Sequence, residues 1–201
     1  MREIAAGIWH WTALHEGIGQ RVSSYYVQPA AALIDPMEPE EGVDWFAGLE
    51  PPPERVLLTN RHHFRHSARF RERFGCEVLC SQPGLHEFDD GEGVRGFSLG
   101  EMVAPHITAL EVGAICPDET ALHVAVGEGA MALADGAIAA GSGSLQFVPD
   151  ELLGDDPPDV KAGLRSALAG LLDHDFQHLL LAHGDPIVAA GRAALARFVR
   201  G

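Results

Sequence analysis

Apolar residues along this chain come mostly in short blocks cut off by Gly, Pro, Asn or Asp, and helical spacing appears only between them. Short blocks with such boundaries predict buried strands. Ile4 to Trp11 alternates loosely, and Val22-Ser23-Ser24-Tyr25-Tyr26-Val27 is strongly β-prone. Ala31-Ala32-Leu33-Ile34 is a short buried strand that stops at Asp35-Pro36. Val56–Leu58 and Glu77–Cys80 read the same way, and residues 84–101 read as loop with a weak hairpin. His106 to Val112 and Ala121 to Val126 predict paired strands, followed by strand-like stretches over 130–134 and 137–140. Gly141 to Pro158 is irregular, and His178 to Ala182 is an apolar strand. Helices are predicted over Val43–Leu49, closed by three prolines, and over Ser67–Phe74, where Phe70 and Phe74 share a face. A longer one runs over Asp159–Leu172 behind Pro157-Pro158, and the last over Ile187–Arg200. Strands with helices interspersed, twice over, predict two packed sheets with helices outside, a four-layer αββα sandwich of the α/β class.

Length and composition narrow the setting. The 201 residues favour one domain, 1–201, or one domain of two similar halves, and 46% apolar residues support a full core. A formal net charge of −15 argues against nucleic acid and against an anionic membrane surface. No apolar run approaches the roughly 20 residues of a membrane span. Met1-Arg2-Glu3-Ile4 lacks the layout of a signal peptide. Three cysteines, Cys76, Cys80 and Cys116, follow no zinc-finger spacing, so a reduced, cytoplasmic setting is expected. A small-molecule substrate or a protein partner fits this balance best. Trp9-His10-Trp11 offers a pocket rim or a self-association surface, though nothing in the chain requires a homo-oligomer.

The chemistry concentrates in Arg55 to Gly75. A short strand ends at Thr59-Asn60, and His62, His63 and His66 follow before the helix at Ser67. A histidine cluster between a strand and a helix is how a metal site is mounted on a rigid scaffold, because imidazole is the commonest protein ligand for zinc and similar metals. Arg61 and Arg65 stand among these histidines, and a guanidinium keeps its proton and binds no metal. Cys116-Pro117-Asp118-Glu119 is a weaker source of a thiol or carboxylate. No Gly-rich phosphate loop and no G-x-S-x-G turn is present.

Over nearly its whole length the chain resembles the metallo-β-lactamase fold superfamily. The strand ending in Asp35-Pro36, the histidine cluster before a helix, Met131-Ala132-Leu133-Ala134-Asp135-Gly136, and Leu179-Leu180-Leu181-Ala182-His183-Gly184-Asp185-Pro186 before the last helix carry the likeness. Placed on the family's H-x-H-x-D-H pattern with His66 last, the chain reads Arg61-His62-His63-Phe64-Arg65-His66. A second placement, with Asn60, His62, Phe64 and Arg65 at the four positions, keeps a single ligand. Ala114 stands where the family's lone middle His is expected. The resemblance implies His63, His66, Asp135 and His183 as metal ligands, with His66, Asp135 and His183 holding one zinc or iron ion. It implies hydrolysis of an ester, thioester, amide or phosphoester, with Asp135 and Arg65 as the catalytic candidates and Arg61, Arg65 and His62 facing substrate. The alternative is a protein with no metal, in which an arginine donates a forked pair of hydrogen bonds to Asp135 and the pocket binds an anionic small molecule or a partner.

Overall fold

The computed structural model describes residues 1–139 and 144–201. Ala140, at the end of the predicted 137–140 strand, and Gly141 to Gly143, at the start of the irregular segment, lie outside the described residues.

Two sheets face each other. The first contains β1 (Arg2–Ala5), β2 (Ile8–His15), β3 (Gln20–Val27), β4 (Ala32–Ile34), β5 (Arg55–Leu57), β6 (Glu77–Ser81) and β7 (Val94–Phe97), side by side in chain order. Pairing is antiparallel from β1 to β4 and parallel from β4 to β7. The second contains β8 (Met102–Ala104), β9 (Ile107–Glu111), β10 (Thr120–Val124) and β11 (Ala130–Leu133), and its far edge is β14 (His178–Leu181), parallel to β11. Between these last two in sequence, β12 (Ile138–Ala139) and β13 (Leu145–Gln146) form a small ribbon. Helix α1 (Ser67–Phe74) covers the outside of the first sheet, and α2 (Pro157–Gly170) and α3 (Gly191–Arg200) cover the second.

Alternation along the strands builds these layers. Tyr25, Val27, Ala32, Ile34 and Leu57 face inward, against Ile107, Leu122, Ala132 and Leu180 of the opposite sheet. Their neighbours Tyr26, Leu33 and Val56 face outward onto Phe46 and Phe70. In the same way Leu179 and Leu181 turn outward beneath Leu164, Leu168 and Leu195. Hydrogen bonds to the main chain of the second sheet pin the sheets together at one end. The Tyr25 hydroxyl donates to Leu181 O (2.8 Å) and accepts from Leu181 N (2.9 Å), and Ser23 N donates to Ala182 O (2.9 Å).

The chain departs from its sequence pattern in places. Residues 84–101 form no hairpin of their own. Val94–Phe97 instead joins β6 in parallel, a pairing that depends on partners distant in sequence. Val43–Gly48 is a 3₁₀ helix. Trp9-His10-Trp11 is not a free surface: Trp11 is buried with Nε1 donating to Met37 O (2.8 Å), His10 stacks on Tyr25, and Trp9 meets Trp45 edge-on at 5.1 Å. The last helix starts at Gly191 rather than Ile187, because Ile187 exchanges two 2.9 Å backbone bonds with Leu179 and so extends the edge of the second sheet. The turn then presses Gly191 against β14 so closely that a Cβ there would sit 2.3 Å from Leu179 N. Backbone cannot yield as a side chain can, so Gly191→Ala is expected to cost about 1–3 kcal/mol, read as a lower urea midpoint at unchanged m.

Among the described residues, no helix is long and apolar enough to cross a membrane. Cys76, Cys80 and Cys116 are all free and buried.

Candidate metal centre

The carboxyl ends of two parallel strand pairs meet at one place, β4 and β5 from the first sheet and β11 and β14 from the second. From the first pair, Asp35 follows β4 and turns its carboxylate across to the residues after β5. Thr59 donates to it twice, from N to Oδ1 (2.9 Å) and from Oγ1 to Oδ2 (2.5 Å). His63, on the 3₁₀ turn Arg61–His63, places Nδ1 2.9 Å from Asp35 Oδ2. Its other nitrogen, Nε2, therefore faces the second sheet and lies 3.5 Å from Asp135 Oδ1. Asp135 follows β11 and His183 follows β14, and His183 Nε2 is 3.1 Å from the same Asp135 oxygen. Asn60 donates from Nδ2 to the remaining oxygen, Asp135 Oδ2, at 2.7 Å. His63, Asp135 and His183 each offer a ligand atom, all within 4.8 Å of one another.

Charge in this cluster is tightly coupled. Burial alone pushes the His63 imidazolium down, but Asp35 and Asp135 outweigh it and lift the pKa to about 9. Burial pushes Asp135 up, yet His63 and His183 hold it well below the usual carboxylate range. Behind Asp135, burial with the neighbouring negative charge lifts Glu119 to about 7, where its Oε1 accepts from Gly136 N at 2.6 Å.

The structure brings together three of the four ligands expected from sequence and leaves the fourth outside. Arg65 takes a left-handed backbone (φ 45°), and His66 N then bonds Pro36 O (3.0 Å). The His66 ring is thereby turned toward the loop after β4, where Nδ1 accepts from Glu38 N (2.9 Å). The expected arginine fork on Asp135 is also replaced. Arg65 Nη1 donates to two carbonyls, Ser23 O (2.7 Å) and Asp35 O (2.8 Å), and Asn60 occupies the place beside Asp135. Arg61 is drawn away to Asp118, donating from N (2.7 Å) and from the guanidinium, with Glu87 3.8 Å from Nε. His62 stands exposed at the rim, and Ala114 packs toward α2. Asp118 of the Cys116–Glu119 stretch is spent on Arg61, and Cys116 reaches the cavity wall with burial pushing its thiol up to about 12. Asp35 enters the sequence analysis only as the end of a strand that carries the resemblance, Asn60 only in the second placement, and Thr59 only as a strand end.

The centre opens into a cavity of about 890 Å³, a size that suits a small molecule. Arg61, His62, Arg65 and His15 line it with the three converging residues, and its walls include Val22, Ile138, Val148 and Leu153. His10 is not among the described lining residues.

Neither a protein-family model nor a curated protein sequence matches the chain. Solved structures do. A metallo-β-lactamase family protein from Thermus thermophilus superposes with a TM-score of 0.68 at 16% identity, over 98% of this chain and 80% of that one. A metallo-β-lactamase from Erythrobacter litoralis, solved with β-mercaptoethanol in its active site, gives 0.68 at 15% identity, over 99% and 93%. The protein TTHA1623 in a di-iron-bound form gives 0.67 at 19% identity, over 93% and 97%. The chain therefore has the metallo-β-lactamase fold, as the resemblance implied.

Proposed function

We propose that this chain, built on the metallo-β-lactamase fold, is a hydrolase with a single zinc or iron ion held by His63 Nε2, Asp135 Oδ1 and His183 Nε2. The observation that carries this reading is the convergence of these three atoms within 4.8 Å at a cavity that admits a small molecule. Two imidazoles and a carboxylate are a donor set that catalytic zinc accepts, with a fourth position left for water or substrate. The surrounding residues fit that role. Asp35 takes the Nδ1 side of His63, which orients Nε2 toward the ion and raises its basicity. Asn60 ties one oxygen of Asp135 and leaves the other for the metal. A bound ion supplies a water of lowered pKa and polarises the bond to be cut.

The chain's own contribution is positioning. The two sheets hold His63 on one side and Asp135 and His183 on the other, beside a cavity with largely apolar walls. The substrate is a small-molecule ester, thioester or related compound rather than a nucleic acid or a membrane lipid surface. The free buried cysteines support a reducing, cytoplasmic setting.

A metal-free protein that binds an anionic small molecule or protein partner is the second reading, favoured by one observation. The His63 ring lies between two carboxylates, Nδ1 2.9 Å from Asp35 Oδ2 and Nε2 3.5 Å from Asp135 Oδ1, an arrangement that needs no cation. The test is metal analysis of protein purified without added metal and again after zinc or ferrous reconstitution, followed by an ester, thioester and phosphodiester panel. About one equivalent of metal per chain together with turnover supports the hydrolase. No metal after reconstitution leaves the second reading.

A further inference from the structure

Arg65 is held in a way that its structural contacts do not explain. Its backbone occupies the left-handed region at φ 45°, unfavourable for any residue with a Cβ and a form of strain concentrated at functional sites. Two main-chain carbonyls fix Nη1, so the guanidinium cannot swing. Yet Nη2 is buried with no hydrogen-bond partner. A buried charged donor left unpaired is costly and rare in native proteins. The other arginine of the cavity, Arg61, is paired with Asp118, with Glu87 3.8 Å from its Nε, although that Nε is also buried without a hydrogen bond.

Of the two arginines among the described lining residues, Arg61 is paired with Asp118, whereas Arg65 makes no ion pair with a described carboxylate. Much of the rest of the wall is apolar, and two of its members, Ile18 and Leu152, stand 51% and 64% exposed at the rim.

We infer that the guest of this cavity is a small organic anion with one carboxylate and an apolar body, and that Arg65 receives the carboxylate while the aliphatic walls and rim take the body. The inference rests on the reading of this cavity as the substrate pocket. With Nη1 held by two carbonyls, Arg65 has Nη2 left for a charge-assisted hydrogen bond to one carboxylate oxygen.

The test measures binding, not turnover. Metal-free protein is titrated by calorimetry with 4-phenylbutyrate and with 4-phenyl-1-butanol, which share a body and differ in the head. The acid is expected to bind at least about tenfold more tightly than the alcohol. Arg65→Gln is expected to erase that preference and Arg65→Lys to keep part of it. Equal binding of the two probes by the wild-type protein, binding of neither below about 1 mM, or an undiminished preference in Arg65→Gln overturns the inference. If Arg65→Gln does not fold, the wild-type comparison and Arg65→Lys still decide it. Zinc titrations on the same proteins separate the two readings. Zinc uptake without acid preference removes the carboxylate pocket and keeps the metal centre, and acid preference without zinc uptake does the reverse.

Discussion

His183→Ala is expected to weaken zinc binding at least about 100-fold, more than the loss of a residue that merely supports a ligand, while His66→Ala leaves it unchanged. The contrast follows from where the two rings point. His183 Nε2 lies 3.1 Å from Asp135 Oδ1 and shares the cluster with His63, so its removal leaves two protein donors where a stable site needs three. His66, at the start of α1, accepts a hydrogen bond from Glu38 N and is tied to the loop that follows β4. Because the His183 side chain is only 21% exposed and pairs with Asp135, urea unfolding of the metal-free variant beside the wild type separates loss of a ligand from loss of the fold. Calorimetric zinc titration of both variants beside the wild type makes the comparison. Loss of zinc in His66→Ala with retention in His183→Ala would place the ion elsewhere and remove the proposed centre.

Asp35→Ala is expected to destabilise the fold by about 3–5 kcal/mol, the range for breaking a buried ion pair from one side. That is a large share of the roughly 5–15 kcal/mol that holds a domain together. Asp35 is 2% exposed and serves several donors at once: Thr59 N, Thr59 Oγ1 and His63 Nδ1. Its carboxyl is desolvated, yet the charges of His63 and Arg65 and the Thr59 hydroxyl hold its pKa below the usual value. Removing it strands the His63 ring beside Arg65 and leaves Thr59 N buried without an acceptor. Urea unfolding reads the stability. Zinc affinity should fall by a further factor of about 10–100, because His63 loses the contact that orients it. Stability within about 1 kcal/mol of wild type would show that Asp35 does not organise the site.

The fold and the site were legible in the sequence to different degrees. Ser67–Phe74 forms the helix that Phe70 and Phe74 announced, and β3, β9, β10 and β14 fall where short apolar runs placed them, because one face or both of each is buried. The start of α3 was not legible. Ile187 looks helical in isolation and is held extended by Leu179, a contact that exists only once the second sheet has formed. At the site, His63, Asp135 and His183 could be singled out because each follows a strand in a recognisable setting. The turn that discards His66 depends on the positive φ of Arg65, which nothing in an Arg-His pair signals. The partners that tune the centre were invisible for a related reason. Asn60 reaches Asp135 across 75 positions and Arg61 reaches Asp118 across 57, so both meetings depend on the two sheets closing.

The bonds from Ser23 and Tyr25 to Leu181 and Ala182 have a consequence for access. They join the sheets beside His183 through the Tyr25 hydroxyl and Ser23 N, and Ser23 Oγ adds a further tie to Gly184 O at 2.8 Å. The two halves of the sandwich cannot part there like a clamshell without breaking buried polar contacts. The fit of a bulkier guest is therefore decided by the rotamers of Ile18 and Leu152 at the entrance. Engineering this protein toward larger compounds would begin with those two side chains and leave the seam untouched.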